Sequence, residues 1–314
     1  MLLSGCESGG GGGNVKPGET TDFPSFITPV DQYFSVHIAQ VPIIEADTFQ
    51  LTVSGTATGT HTFSLDQLRA LKMVDKTVTV ECIGNPANGD QIGTATWKGF
   101  MLYDFLDSLG IKPGTTTVKY TCADGYYTYN SLDQLQDRGV LAALYMNGEV
   151  LTPIYGFPLR IVFPGYFGVR QPCWITKMEL FPAGIEDYWT RQGWDTDSSM
   201  AIDSKIFFPA NGATLELGNT VKIGGAAFGS RRIAAVDWTV DGGATWSPAT
   251  IHRQMDLDWV WVFWEANFTP TAAGTYYIRS RATGEDGRVQ PEEDKRYLDG
   301  TNSWPTVGIS VIDK

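Results

Sequence analysis

From Ile202 onward the sequence alternates short apolar runs with turn residues and shows no helical period. Strand-like runs occupy residues 221–223, 234–240, 259–264 and 276–281. The dipeptide Asp241-Gly242 follows the second run and favours a tight hairpin turn. Short strands that recur regularly between turns are typical of a β-sandwich of the immunoglobulin type. The sequence therefore predicts an all-β immunoglobulin-like domain over residues 201–314.

The preceding part of the chain mixes strands with short helices. Ser64 and Ser131 each precede leucines at helical spacing and are suitable N-cap residues, and a further helix is predicted over 100–109. Asn147-Gly148 separates two apolar runs, as in a hairpin with a type I′ turn. Strands are predicted over 49–53, 77–81, 117–123, 140–146, 149–151, 159–163 and 174–180. We expect a mixed α+β domain over 23–185 and a linker over 186–200.

Composition excludes several classes of protein. The 314 residues carry a net charge of -12, which argues against the basic face that nucleic-acid binding needs. No apolar run reaches the roughly 18 residues that span a bilayer as a helix. The four cysteines form no CxxC pair, the three histidines lack metal-ligand spacing, and no GxSxG elbow occurs. Zinc ribbons, thioredoxin-type motifs and the usual serine-hydrolase elbow are therefore not expected.

The first residues, MLLSGC, resemble a bacterial lipobox in which Cys6 would be lipidated. A glycine-rich stretch follows and has the composition of a flexible tether, so we assign residues 1–22 to this start and tether. A charged n-region and a full apolar h-region are missing, so the start of translation could lie upstream or the match could be chance. We expect a protein of the bacterial cell envelope on the periplasmic side, bound to the membrane only through this lipid; a soluble periplasmic protein is the alternative.

Cys82 ends a strand-like run and precedes a loop rich in turn residues, from Gly84 to Gly89. A thiol at this position lies at the end of a sheet rather than inside it. A thiolate there can act as a nucleophile or as a soft metal ligand. The alternative is a buried, inert cysteine.

Motifs distributed over nearly the whole chain after Phe26 resemble, in order, those of the sulfite-oxidase-like family of molybdenum enzymes. They are ITPVDQYF, VECIGN, WKGFMLYDFL, DGYYTYNSL, LAALYMNGEVL, YGFPLRIVFPGYFGVRQPCW, VDWTVDGGATW and YYIRSRATGEDGRVQP. The resemblance implies a catalytic domain of the sulfite-oxidase-like fold that binds one molybdopterin cofactor. It also implies an immunoglobulin-like domain that often mediates dimerisation, so that a homodimer is possible.

The resemblance also implies roles for particular residues. Cys82 would supply the protein thiolate to molybdenum, leaving positions free for oxygen-atom transfer. Arg160 would bind the pterin phosphate, for which a guanidinium is a bidentate partner. Tyr126 matches the active-site tyrosine, with Tyr127 and Tyr129 as competitors if the register slips. The remaining positions that match cofactor contacts are Phe34, Ser35, Val36, His37, Asp104, Tyr155, Arg170, Gln171, Pro172 and Cys173.

The chain departs from the family pattern where positive charge is usual. Tyr155 replaces a histidine, and Cys173 stands where a lysine is common, a loss for which we expect Arg170 to compensate. Val36 and Ala87 lie where sulfite oxidases carry arginines, and no Lys or Arg occurs between Cys82 and Trp97. A dianion entering a dry pocket needs fixed positive charge. We therefore expect sulfite to be a poor substrate and a neutral S-oxide or N-oxide to fit better.

Three further expectations concern partners. Electrons would pass to or from a separate cytochrome or a quinone-linked membrane protein, and the small-molecule partner would be an oxygen donor or acceptor. A non-catalytic envelope lipoprotein that retains the fold as a binding or assembly module is the alternative function. A redox-active disulfide between Cys122 and Cys173 is a third possibility that sequence separation does not exclude.

Overall fold

The computed structural model describes residues 22–313 except 57–58, 195–196, 230 and 295–296. The described residues form two compact units. The first comprises Phe34–Ile83 and Ala95–Ser199, and the second comprises residues 22–33, Gly84–Thr94 and 200–313. Within these residues no helix has the length and apolar character needed to cross a bilayer. Cys6, the predicted lipidation site, lies outside the described residues.

The described residues of the first unit contain two sheets and three short α-helices. Sheet I has the strand order β2-β1-β10-β5-β6, with β1 parallel to β10 and the other pairs antiparallel. Sheet II has the order β3-β4-β7-β8, and β9 pairs with β7. The strands are β1 Gln50–Gly55, β2 His61–Ser64, β3 Val74–Glu81, β4 Ile92–Met101, β5 Thr117–Cys122, β6 Tyr127–Ser131, β7 Leu141–Met146, β8 Glu149–Val150, β9 Arg160–Val162 and β10 Ile175–Phe181. The helices are α1 Leu65–Arg69, α2 Leu102–Ser108 and α3 Leu132–Arg138.

Local sequence signals account for the helix starts and for one hairpin. Ser64 accepts a hydrogen bond from the Gln67 amide, and Ser131 accepts one from the Gln134 amide; each glutamine returns the bond to the capping residue's own amide. Both predicted caps are therefore confirmed as capping boxes. Asn147 and Gly148 have φ angles of 51° and 86°, as a type I′ turn requires, and they join β7 to β8.

The second unit is a sandwich of two sheets, as predicted. Sheet III has the order β11-β13-β17-β16, and sheet IV has the order β12-β19-β18-β14-β15. Ile223 and Trp264 from sheet III and Ile278 and Val307 from sheet IV belong to one buried core. The strands are β11 Asp203–Phe208, β12 Thr214–Glu216, β13 Val221–Phe228, β14 Ile233–Thr239, β15 Ser247–Pro248, β16 Thr250–His252, β17 Val262–Phe268, β18 Gly274–Gly284 and β19 Thr306–Ile312. The strand predicted over 259–264 starts later, because Trp259 has a φ of 61° and cannot continue a strand.

The loop that follows Cys82 packs with the second unit, which no sequence pattern indicated. The Asn88 side-chain oxygen accepts a hydrogen bond from the Ile206 amide at 2.7 Å. Thr28 donates its amide to the Thr94 carbonyl at 2.8 Å, so residues 22–33 and 84–94 are joined within that unit. We retain 23–185, 186–200 and 201–314 as the proposed domain division along the sequence.

A close approach between β4 and β7 requires glycine at position 99. A Cβ atom there would lie 2.0 Å from the Ala142 carbonyl oxygen, at a point where the strand register shifts. We expect Gly99→Ala to lower the free energy of unfolding by about 1–3 kcal/mol, because the backbone must move to accept the methyl group. Gly184→Ala is the matched control, since its Cβ would meet nothing within 4 Å. Denaturant unfolding of both variants checks this. Equal free energies of unfolding would show that β4 and β7 accept the methyl group without loss of stability.

Candidate functional site

Cys82 directly follows β3, as predicted, and its side chain is half-buried. Val78, Val80 and Glu81 before it are almost fully buried. After it, the loop is closed by a hydrogen bond from the Gly89 amide to the Pro86 carbonyl and another from the Gln91 amide to the Asn85 side chain. The thiol thus lies at the end of a buried strand and keeps access to solvent, which suits a ligand or nucleophile better than a core residue.

Arg160 on β9 is a buried cation, only 7% exposed. Its guanidinium lies 4.4 Å from the centre of the Trp97 ring and donates to the Tyr155 carbonyl at 3.2 Å. Its Nε is buried and has no hydrogen-bond partner among the described residues, and no carboxylate of that part of the chain forms an ion pair with it. A buried charge is costly unless an opposite charge and hydrogen bonds offset it. The arrangement therefore fits an anionic group of a ligand, such as a phosphate.

A tight turn and Cys173 form the wall beside Arg160. Gly156 has a φ of 103°, and a Cβ atom there would lie 3.0 Å from both the Arg160 Cβ and the Cys173 Sγ. Burial raises the pKa of the Cys173 thiol, and the Arg160 guanidinium partly opposes that shift. Cys173 is therefore a neutral thiol at neutral pH and adds no charge to the surroundings of Arg160.

His37, Asp124 and Trp174 lie close together on the other side of Cys173. The His37 ring is 5.5 Å from the Trp174 ring, and the His37 Nε2 is buried without a hydrogen-bond partner among the described residues. Burial lowers the pKa of His37, against the effect of Asp124. Burial raises the pKa of Asp124, although the Tyr126 amide donates to its carboxylate at 2.9 Å. We call the set Trp97, Tyr155, Arg160, Cys173, His37, Asp124 and Trp174 the cradle; all of it belongs to the first unit.

Three members of the cradle were not predicted. Trp97, Trp174 and Asp124 were given no site role in the sequence analysis. The signal for Asp124 was its place directly before Gly-Tyr in a matching motif, DGYYTYNSL. Of the predicted N-terminal loop, Phe34, Ser35, Val36 and His37 form an irregular, half-buried segment, in which His37 contacts Trp174.

Tyr126, the predicted active-site tyrosine, is buried in the first unit and its hydroxyl is engaged by the backbone. Its hydroxyl donates to the Val169 carbonyl at 2.6 Å, and the side chain is only 8% exposed. Burial raises the pKa of Tyr126 well above its usual value. A backbone carbonyl thus holds its proton, and the active-site role stays a prediction. The competitors are also engaged: Tyr127 accepts from Arg191 at 3.1 Å, and the Tyr129 ring lies 4.3 Å from the Arg170 guanidinium.

Arg170 does not compensate for the charge that Cys173 lacks. It forms a buried ion pair with Asp187 at 2.7 Å, and both side chains are at most 4% exposed. It also donates to the Thr128 hydroxyl and the Tyr129 carbonyl. Its charge is therefore offset within the protein, and the prediction that it serves the cofactor has no support in this geometry.

Gln171 and Pro172 each form a hydrogen bond with the backbone close to the cradle. Gln171 is buried and donates its side-chain amide to the Tyr166 carbonyl at 2.7 Å. The Pro172 carbonyl accepts from the Ile161 amide at 2.9 Å, next to Arg160. These contacts fix β9 and hence the position of the Arg160 side chain.

The cofactor contact predicted at Asp104 stays a prediction. Asp104 is exposed in the first turn of α2, which follows Met101 at the end of β4 farthest from Cys82. Its exposed position also suits the alternative, a solvated helix face.

No disulfide joins Cys122 and Cys173; both are thiols. Cys122 pairs across the sheet with Ile175, two residues after Cys173. Within the described residues, no group of three or more His, Cys, Asp or Glu side chains is arranged to hold a metal ion. The thiol of Cys82 and the anion position at Arg160 are groups of the first unit that suit a metal carried by an anionic organic cofactor.

Comparison with known proteins supports this interpretation. The model of the oxidoreductase molybdopterin binding domain matches residues 38–189, and that of the Mo-co oxidoreductase dimerisation domain matches residues 195–312. Mitochondrial sulfite oxidase of Macaca fascicularis is 29% identical over 95% of this chain and 64% of its own length. Sulfite oxidase of Arabidopsis thaliana is 25% identical over 89% of this chain and 86% of its own length.

The fold is that of a solved relative. The structure of the sulfane dehydrogenase SoxCD from Paracoccus pantotrophus matches with a TM-score of 0.80 and 23% identity, over 91% of this chain and 82% of that one. The chain spans 64% of the length of the mammalian relative named above, so the similarity concerns the part that the two share. From the two domains, the relatives and the fold, we conclude that this chain belongs to the sulfite-oxidase-like molybdopterin oxidoreductases.

Proposed function

We propose that the protein transfers an oxygen atom to or from a small neutral substrate at a molybdopterin cofactor and exchanges electrons with a separate redox protein. The observation that supports this proposal is Arg160, a buried guanidinium that forms no ion pair with a carboxylate of the described residues and whose Nε has no hydrogen-bond partner among them. A non-catalytic lipoprotein with the same fold is the alternative. A binding module with this fold could also use Arg160 to hold an anion, so metal content and turnover, tested below, separate the two functions.

Different residues of the first unit would bind different parts of the cofactor. Cys82 offers the thiolate that would hold molybdenum, and Arg160 offers charge-assisted hydrogen bonds to the cofactor phosphate. Trp97 covers the guanidinium and excludes water, which strengthens its attraction for an anion. When bound, the cofactor supplies the oxygen-atom transfer chemistry.

His37 and Asp124 would orient the organic part of the cofactor. Because burial lowers the pKa of His37, its imidazole is neutral at neutral pH and Nε2 can exchange a hydrogen bond without adding charge. Asp124 has a raised pKa and accepts from the Tyr126 amide, which fixes its orientation. Both groups can form hydrogen bonds of fixed direction with polar atoms of a ring system, so that recognition depends on hydrogen-bond geometry rather than on charge.

The distribution of positive charge supports a neutral substrate. Arg170 is neutralised by Asp187, Arg160 is assigned to the cofactor, and the loop after Cys82 carries no Lys or Arg up to Trp97. A sulfite dianion would lose its hydration near Cys82 without a fixed cation to offset the loss. An S-oxide or N-oxide avoids that cost. Sulfite oxidation is the second candidate, because relatives are named sulfite oxidases.

The partner and the location are also proposals. The net charge of -12 favours docking with a basic cytochrome, and a quinone-linked membrane protein is the other candidate for the electron partner. A lipid on Cys6 would hold the protein at the periplasmic side of the cell envelope, with the glycine-rich stretch as a tether.

A first test concerns the metal and its sulfur ligand. We expect the purified wild-type chain to carry about one molybdenum atom, since one cradle binds one cofactor. X-ray absorption of Cys82→Ser should show one sulfur ligand fewer at molybdenum than wild type, and turnover should be lost. Cys173→Ser, which changes another half-buried thiol, is the control and should keep the sulfur ligands. Wild-type protein that never takes up molybdenum would favour the non-catalytic alternative.

A second test separates binding from packing at Arg160. We expect Arg160→Gln to lower cofactor affinity by roughly 10- to 100-fold, because a charge-assisted hydrogen bond is lost. The cofactor-free variant should be at least as stable as cofactor-free wild type, since a buried cation without a carboxylate has been removed. Cofactor content and thermal unfolding of the apo forms are the measurements. Arg191→Gln, at an exposed arginine of the same unit, is the control; a strongly destabilised apo Arg160→Gln would mean that the guanidinium is structural.

A third test concerns substrate charge. Steady-state kcat/KM for sulfite should be low in the molybdenum-loaded protein and should rise in Val36→Arg, which restores a cation to the N-terminal loop. Turnover of a neutral S-oxide should not rise in that variant. Val150→Arg, at an exposed valine of β8, controls for added charge in general. A high specificity constant for sulfite in the unmodified chain would contradict the proposal.

A further inference from the structure

The loop over residues 84–91 is separated from Cys82 by a single residue, Ile83, and it belongs to the second unit. It connects Cys82 to β4, so the backbone around the thiol is held by β3 on one side and by this loop on the other. Ile83 is 4% exposed and Asn85 is 2% exposed, so both ends of that connection are constrained at its start. The contacts that hold the loop therefore bear on the position of the Cys82 side chain.

Asn88 fastens the loop to β11 of the immunoglobulin-like sandwich. Its Oδ1 accepts a hydrogen bond from the Ile206 amide at 2.7 Å, and β11 is an edge strand of sheet III. Asn88 has a φ of 59°, in the left-handed region that asparagine enters more readily than most residues. Both the side chain and the backbone of Asn88 are thus suited to this one contact.

A second contact holds the chain just beyond the loop. The Thr28 amide donates to the Thr94 carbonyl at 2.8 Å, and the Thr94 amide donates to the Thr28 hydroxyl at 3.1 Å. The Tyr33 ring packs against Gly93, where a Cβ atom would lie only 2.7 Å from it. This close approach leaves the start of β4 no space in which to shift towards the ring.

The segment over residues 22–33 that makes this second contact is itself packed on sheet III. Phe23 stacks on Phe263 with ring centres 4.9 Å apart, and the Trp261 indole donates to the Phe26 carbonyl at 3.0 Å. Phe263 is only 2% exposed. Aromatic packing in a buried setting makes this segment a firm support, so the loop is attached to the sandwich both directly and through residues 22–33.

Within the loop, hydrogen bonds leave little freedom between Asn88 and the end nearer to Cys82. The Gly89 amide donates to the Pro86 carbonyl at 2.8 Å, and the Gln91 amide donates to the Asn85 side chain at 3.1 Å. A loop closed in this way moves as one piece. Release at Asn88 would therefore be transmitted to Asn85 and to the thiol.

We propose that Asn88 is a positioning residue for Cys82, through which the immunoglobulin-like unit restrains the loop that follows the thiol. The match of residues 195–312 to a dimerisation domain assigns that unit no part in the site. What the thiol binds is taken from the proposed function, whereas the restraint on the loop is a property of the chain alone. Without the restraint the thiol samples more orientations and becomes easier to reach.

The experiment uses the full chain before it is loaded with cofactor and compares wild type with Asn88→Gly. Glycine removes the acceptor and still adopts the left-handed backbone, so no strain is introduced. We expect the amides of residues 84–91 to exchange about 3- to 10-fold faster, the range that loss of one hydrogen bond supports. The rate of Cys82 alkylation by iodoacetamide, read for each peptide by mass spectrometry, should rise by a similar factor.

Two variants separate positioning from general stability. Asn88→Asp keeps an acceptor oxygen and tolerates the left-handed region, so it should alkylate at a rate close to that of wild type. Asn211→Ala is the matched control, since it removes a bond of the same kind, from the Gly308 amide at 2.9 Å, elsewhere in the second unit. It should leave the alkylation rate of Cys82 unchanged even where thermal unfolding shifts.

Thr28→Val keeps the test decisive if Asn88→Gly does not fold, because it removes only the hydroxyl that accepts from Thr94. It should also raise the alkylation rate of Cys82. Folded variants at both positions with the wild-type rate, or an equal rise in Asn211→Ala, would overturn the assignment. Molybdenum content of the loaded wild type is measured separately, so the proposed function and the role of Asn88 can fail independently.

Discussion

The burial of the Arg160 guanidinium is the interaction on which the functional interpretation depends. A cation that is 7% exposed and lies on the Trp97 ring has lost most of its hydration. One backbone carbonyl and one aromatic face compensate for only part of that loss. An anionic ligand would supply the missing stabilisation, and the bound state would then be more stable than the apo state at this position. The cost of burying Arg160 is thus a measure of how strongly the fold is prepared for its cofactor.

The surrounding structure is arranged so that Arg160 cannot turn back into solvent. β9 pairs with β7, where Ala143 stands opposite Arg160, and the Pro172 carbonyl holds the next residue, Ile161. Gly156 brings its turn so close to the Arg160 Cβ that a side chain there would collide. These are all backbone constraints. They explain how a strand of three residues can position a charged side chain without an ion pair to hold it.

Signals that act over a few residues could be predicted from the sequence, and signals that depend on packing could not. The capping boxes at Ser64 and Ser131 and the turn at Asn147-Gly148 are complete within four residues, and the exit of Cys82 from its strand follows from alternation and turn chemistry. Tyr126 and Arg170 were assigned roles by motif, but their partners, Val169 and Asp187, lie elsewhere in the chain. A motif shows which residue is present at a position, but the fold determines which atom its polar group contacts.

The same distinction applies to the proposed substrate, because the fold and the choice of substrate depend on different residues. The fold depends on apolar positions and turns that are spread over both units, and many substitutions leave it intact. Affinity for a dianion depends on a few fixed cations close to the reacting centre, because the attraction falls off with distance and with access of water. Under the proposal, Val36 and Cys173 occupy two positions where the resemblance implies positive charge, and Arg170 is neutralised by Asp187. On that basis so few side chains would alter the electrostatic potential around Cys82 while the strands that hold it stay as they are.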